Sequence, residues 1–224
     1  MSLADRGAAY DLDETPLNPV DGGTSLLVTG SREAGLDALV HRLLSAGENE
    51  GVVGITADED GSTFRRTHRR EAGRGRNDAM GIVDCCGDAR GATDEETALA
   101  DPDDLTAVNM QFSSLCDELQ FDGVERVRSG LVTVSPLCAA CDDMRDVYRF
   151  VSNVTSRNRR SDGLFVCAID PEADTGDFNN GQSIAEGLSR AFGGRVDLRR
   201  DGRQSQVRVE GLDGQPSGWQ DVSL

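Results

Sequence analysis

The stretch Thr24-Ser25-Leu26-Leu27-Val28-Thr29-Gly30-Ser31-Arg32-Glu33-Ala34-Gly35-Leu36-Asp37 decides the fold. Its first six residues are a short apolar run closed by glycine, the pattern of a buried strand. Downstream, Leu36, Leu39, Val40, Leu43 and Leu44 recur at helical spacing and stop near Gly47, which predicts a helix over 35–44. Between strand and helix, Gly30 and Gly35 keep the spacing of a phosphate-binding loop, G-x-x-x-x-G-K-[ST]. In such a loop backbone amides curl around phosphate oxygens at a positive helix end, the lysine neutralises them, and the hydroxyl holds Mg²⁺. Here Leu36 stands in the lysine position and Asp37 in the hydroxyl position.

Glu33 and Asp37 also bring carboxylates to the place where a triphosphate carries its own charge. Two like charges about 4 Å apart repel by about 4 kcal/mol at an effective dielectric of 20, roughly a thousandfold in affinity. Arg32 is the one substitute cation in the loop, but it is out of register and its fork is bulky for a tight nest. Residues Gly30, Ser31, Arg32, Glu33, Ala34, Gly35, Leu36 and Asp37 therefore read as a vestigial nucleotide-binding loop, kept as a strand-turn-helix.

Outward from this unit, strands are predicted over 51–56, 80–84, 128–134 and 164–169, with helices over 62–71, 105–119, 144–159 and 183–192 between them. Asp103 and Asp104 stand where a helix N-cap belongs. Arg195 to Arg199 and Gln206 to Glu210 alternate apolar and polar residues around Asp201-Gly202, a hairpin, and a last strand lies near Trp219 to Leu224. Strands alternating with helices imply an α/β three-layer sandwich, a mostly parallel sheet with helices on both faces and a C-terminal antiparallel hairpin extension. Residues 1–20 are expected to be an irregular N-terminal segment and 21–224 a single domain. The first 20 residues and the loop from Gly87 to Asp101 are the expected flexible parts.

Composition fits one such domain. The 37% hydrophobic share rises to about 48% when glycine is counted and tyrosine is not, an ordinary globular value. A formal charge of −17 comes from 40 acids against 23 bases, every one an arginine. Acids dispersed among apolar segments, with no lysine, suit a halophilic protein; in molar salt the Debye length is about 3 Å and self-repulsion is screened. The same charge disfavours nucleic-acid binding. No apolar stretch reaches a membrane span and the N-terminus is acidic, so a cytoplasmic location with reduced thiols is expected. Cys138 and Cys141 have metal spacing but lack a second pair, so no metal is expected. His41 reads as a helix-surface or core-edge residue. His68 lies within the basic cluster Arg65, Arg66, Arg69, Arg70, Arg74 and Arg76, a solvated helix face or, failing that, a phosphate-contacting strip.

With these landmarks the sequence resembles the KaiC-like branch of the RecA-superfamily ATPases, in particular a divergent haloarchaeal set. The resemblance rests on the Gly30–Gly35 loop, Asp103-Asp-Leu-Thr106, Val132-Thr-Val-Ser-Pro-Leu137, Val147-Tyr-Arg-Phe-Val151, Cys167-Ala-Ile-Asp-Pro-Glu172, Arg208–Gly211 and Gly218-Trp219. It spans about residues 21–224 and implies a RecA-like P-loop-type fold. The family's Walker B aspartate falls at Val134 here, before Ser135, so the acid that organises Mg²⁺ and water is missing. Acids after the second strand activate water in the family; Asp58, Glu59 and Asp60 lie in that region. Arg157, Arg159 and Arg160 lie where oligomers supply cationic fingers, or form a salt-tolerant surface.

Phosphoryl transfer depends on charge compensation by lysine, Mg²⁺ and a water-orienting acid. The expected function is therefore a non-catalytic RecA/KaiC-like module, a pseudo-ATPase that regulates or signals through protein contacts. The expected partner is another protein, an active paralogue or a second copy, with no membrane. No cofactor is expected, and ATP is disfavoured. The alternatives are a nucleotide-binding ATPase or switch with an altered loop, and a DNA-binding relative using the Arg65–Arg76 cluster.

Overall fold

The computed structural model describes residues 9–72, 79–86, 97–171 and 183–224. Its elements in chain order are β1 (Ser25–Thr29), α1 (Leu36–Leu43), β2 (Glu50–Thr56), α2 (Gly61–Glu71), β3 (Met80–Asp84), β4 (Thr97–Leu99), α3 (Leu105–Phe121) and β5 (Arg126–Leu131). There follow α4 (Ser135–Ala140), α5 (Met144–Arg160), β6 (Leu164–Ile169), α6 (Ile184–Ser189), β7 (Gly194–Asp201), β8 (Gln204–Glu210) and β9 (Gln220–Val222).

The strands form one nine-stranded sheet in the order β4-β3-β2-β5-β6-β1-β7-β8-β9. Pairing is parallel from β4 to β7 and antiparallel for β8 and β9. The period of two in a strand explains how continuous apolar runs serve two cores. In β1, Leu26 and Val28 face one side with α1, while Leu27 faces the other with α3, α5 and α6. In β6, Leu164, Val166 and Ala168 join the first core; Phe165, Cys167 and Ile169 join the second. The sheet with helices on both faces and an antiparallel C-terminal extension is the fold class the sequence implies.

Several local expectations are corrected. The loop after β3 contains β4, a three-residue edge strand paired to Ile82–Asp84. The strand predicted to reach Val134 ends at Leu131, because Thr133 Oγ accepts the Ser135 amide and Pro136 starts α4. The hairpin turns one residue later than Asp201-Gly202: Asp201 pairs with Gln204, and Gly202 alone carries positive φ, 62°. The irregular start is irregular in backbone but packed from residue 10 onward: Tyr10, Leu12, Leu17 and Val20 are buried, and Tyr10 and Val20 bridge. The expected flexible residues 1–8 and 87–96 lie outside the described residues.

Candidate functional site

The loop after β1 is closed on itself. The Gly30 amide donates to the Ile169 carbonyl at 3.3 Å, and a side chain at Gly30 would meet the Leu198 carbonyl at 2.7 Å. This glycine therefore admits the neighbouring strand β7. Arg32–Ala34 form one 3₁₀ turn, in which the Ala34 amide donates to the Ser31 carbonyl and hydroxyl and the Gly35 amide to the Arg32 carbonyl. Gly35 sits at φ 96°, a left-handed conformation that glycine adopts without strain, with the Leu224 side chain packed against it. The hairpin fastens the turn: Arg200 donates to the Glu33 carbonyl at 3.0 Å and the Ser205 hydroxyl to the Ala34 carbonyl at 2.7 Å. The amides of Ala34 and Gly35, which a phosphate nest would aim at its anion, donate within the turn instead, while the Gly30 amide extends the β1–β6 ladder.

The charges around the turn are also paired. Arg32 forms ion pairs with Asp37, at 3.6 Å, and with Asp58. Asp37 lies in the first turn of α1, Asp58 and Glu59 just beyond β2, and Asp170 just beyond β6. Burial raises the Asp37 carboxyl above its ordinary value; the Asp170 charge adds to this and Arg32 opposes it. Burial and the Asp37 charge likewise raise Glu59. The result is an acid cluster at the carboxyl ends of the strands, with Arg32 paired to two of its carboxylates.

A family model described as Family of unknown function (DUF7504) matches residues 23–198. The chain belongs to this family. No curated protein matches this DUF7504 chain. Its fold is similar to the crystal structure of a KaiC-like protein from the hyperthermophilic archaeon Pyrococcus horikoshii, with a TM-score of 0.58 and 11% identity over 90% of this chain and 85% of that one. At that identity the likeness shows the fold alone: the DUF7504 chain has a KaiC-like, RecA-type architecture.

The remaining sequence candidates fall as follows. Leu36 is fully buried and Glu33 exposed. Val134 is buried, donates its amide to the Ala168 carbonyl at 2.9 Å, and leads into α4. Ser135 beside it has a buried hydroxyl with no protein partner. Asp60 belongs to a helix cap rather than to the acid cluster: it accepts the Thr63 amide at 3.0 Å, and hydrogen bonds from Ser62 and Thr63 pull it down to about 2. Arg157 at the end of α5 pairs with Asp117 of α3 at 2.5 Å, and Arg159 packs beside Gly23, at the opposite end of β1 from the loop. In the arginine cluster Arg66, Arg69 and Arg70 are exposed on α2; Arg74 and Arg76 lie outside the described residues.

The two histidines are a correction. Neither is on the surface: His41 is fully buried and His68 is 6% exposed, with their Nδ1 atoms 3.3 Å apart against Phe64. His41 Nε2 is buried without a partner. A proton on His41 Nδ1 makes a hydrogen bond to His68 Nδ1, whereas one on Nε2 meets no acceptor. Burial, with the His68 and Arg70 charges, lowers His41 to about 3, and burial lowers His68 to about 4. His68 is thus removed from any phosphate-contacting strip.

All six cysteines are free thiols. Burial pushes Cys85, Cys116 and Cys138 up to about 12, far from nucleophilic. Among the described residues no three His, Cys, Asp or Glu side chains converge as metal ligands, and no helix is long and apolar enough to cross a membrane.

Sequence reasoning found Arg32 and Asp37 but not Asp58 and Asp170 as their companions. The signal was present, since each acid stands one or two residues beyond a strand's carboxyl end, where open α/β sheets gather their site residues.

Proposed function

We propose that this chain is a non-catalytic RecA/KaiC-like module, a degenerate member of that architecture that works through protein contacts. One observation carries the reading: the loop that should hold a polyphosphate has its Ala34 and Gly35 amides bonded within a 3₁₀ turn and its only cation, Arg32, held by Asp37 and Asp58. A triphosphate entering there would break the 3₁₀ turn, displace two carboxylates from Arg32, and meet no lysine, since the sequence has none. Nor does an aspartate stand at Val134 to organise Mg²⁺.

Arg32 favours the altered-loop reading only if it swings free of both carboxylates, and the charges it would leave unpaired oppose that. Phosphate release from Mg·ATP, measured on the purified chain in 2–4 M KCl, tests the proposal. The expected rate equals the protein-free background, and turnover that scales with protein concentration rejects it.

A further inference from the structure

In a chain with few exposed large hydrophobics, α3 presents two: Met110 is 66% exposed and Phe121 91% exposed. They lie on one ridge with Thr106, Ser114 and Asp117, all exposed and spaced three or four residues apart, so they share a helix face. Carboxylates line both ends. A cleft of about 600 Å³ at the helix start is bordered by Asp103, Asp104, Asp142, Asp143 and Asp146, with Arg149 the only cation at its edge among the described residues. A second depression of about 430 Å³ at the helix end is bordered by Asp117, Glu118, Asp122 and Phe121. Two exposed apolar side chains set among acids fit a basic surface that brings cations to both the carboxylates and the aromatic face.

The same chain carries such a surface. The exposed face of α2 holds Arg66, Arg69 and Arg70 within two turns, and among the described residues neither Arg66 nor Arg69 forms an ion pair. α2 packs its Phe64 into the core on one side of the sheet, while α3 packs Phe112 and Leu115 into the core on the other. The two surfaces point away from each other, so one molecule cannot join them within itself.

We propose that the Met110–Phe121 ridge of α3 receives the arginine face of α2 from a second copy of the chain. This rests on the reading that the module acts through protein contacts, and it names the partner. The contact is heterologous, with different patches on the two copies, so it builds a ring or an open chain rather than a two-fold dimer. An arginine stacks on Phe121 while its neighbours meet Glu118 and Asp122.

Sedimentation velocity of the full chain, with circular dichroism to confirm folding at each salt, tests this with two surface variants. Arg66→Glu/Arg69→Glu makes both faces acidic, and Glu118→Arg/Asp122→Arg places arginines around Phe121, where the arginine face of α2 would dock. The wild type is expected to self-associate, more tightly at 0.3 M than at 3 M KCl; each variant alone is expected to be monomeric, and an equimolar mixture of the two to associate again. Phe121→Ala, which alters no charge, is expected to weaken association at least tenfold. A wild type that stays monomeric to several hundred micromolar overturns the proposal, as does a mixture no more associated than its components. Association that strengthens with salt and survives charge reversal points to an apolar contact of another kind and also overturns it. None of these results bears on ATP turnover, so the two readings fail separately.

Discussion

Replacing Arg128 by methionine is expected to destabilise the fold by about 3 kcal/mol, the low end of the cost of breaking a buried ion pair by removing one partner. Arg128 and Glu50 are 1% and 2% exposed, on the neighbouring strands β5 and β2, where Glu50 stands opposite Arg126 and Arg128 opposite Val52. Arg128 Nε donates to Glu50 Oε2 at 2.7 Å, and its other nitrogens donate to the Leu43 carbonyl at 3.1 Å and the Asp11 carbonyl at 2.9 Å. Its guanidinium lies 5.1 Å from the centre of the Tyr10 ring. Tyr10 in turn donates to the Asp162 carbonyl at 3.0 Å, and burial pushes its hydroxyl up to about 12. One arginine therefore ties the N-terminal arm to the sheet and satisfies carbonyls that would otherwise be orphaned. Without it Glu50 keeps Arg126, which is more exposed, and the Gly47 amide at 2.8 Å. Urea unfolding at fixed KCl measures the loss, which corresponds to a fall in Tm of about 10 °C for a domain this size. Glu50→Met/Arg128→Met, which removes both charges, is expected to cost less than Arg128→Met alone. Equal costs would show that the carboxylate is not stranded when the arginine goes.

The second large effect is acid instability from the buried histidine pair. An unfolded chain takes up protons on histidine below about pH 6.5. The folded chain resists until about 3 at His41 and about 4 at His68. Between these limits the unfolded state binds more protons, so stability is lost as pH falls from about 6.5, by up to about 1.4 kcal/mol per unit for each histidine. Protonating His41 also places its charge beside His68 and Arg70, at the α1–α2 joint that the Arg42–Glu71 ion pair also spans. Asp37 and Glu59, whose carboxyls are raised, work in the opposite direction, since the folded state takes up their protons first. The histidine contribution is isolated by comparison with His41→Leu/His68→Phe. The wild type is expected to lose several kcal/mol between pH 7 and pH 4.5 in urea titrations, and the double variant clearly less. Parallel pH curves for the two proteins would rule the pair out as the cause.

Which features were legible in the sequence follows from the range of the interactions behind them. β3 and β6 have the predicted ends because each is an unbroken apolar run with a polar or glycine stop. α3 and α5 follow from apolar spacing and from the aspartates that cap them, Asp104 and Asp143. β4 and α4 are three and six residues long, too short for periodicity to show, and the strand predicted to reach Val134 is followed at once by a helix with Pro136 in its first turn. The arm around Tyr10 carries no periodic pattern at all; contacts more than a hundred residues away hold it in place. The same reasoning applies to the site. Loss of the lysine is a local fact that the sequence states. The meeting of Arg32 with Asp58, or of His41 with His68, depends on how strands and helices are laid side by side.

The central claim is that this loop is closed to polyphosphate by its own hydrogen bonds and ion pairs. Isothermal titration of the purified chain with Mg·ATP and with Mg·ADP, in 2–4 M KCl, tests it most directly. The predicted result is no saturable heat up to millimolar nucleotide. A one-to-one isotherm with a submillimolar Kd would contradict it.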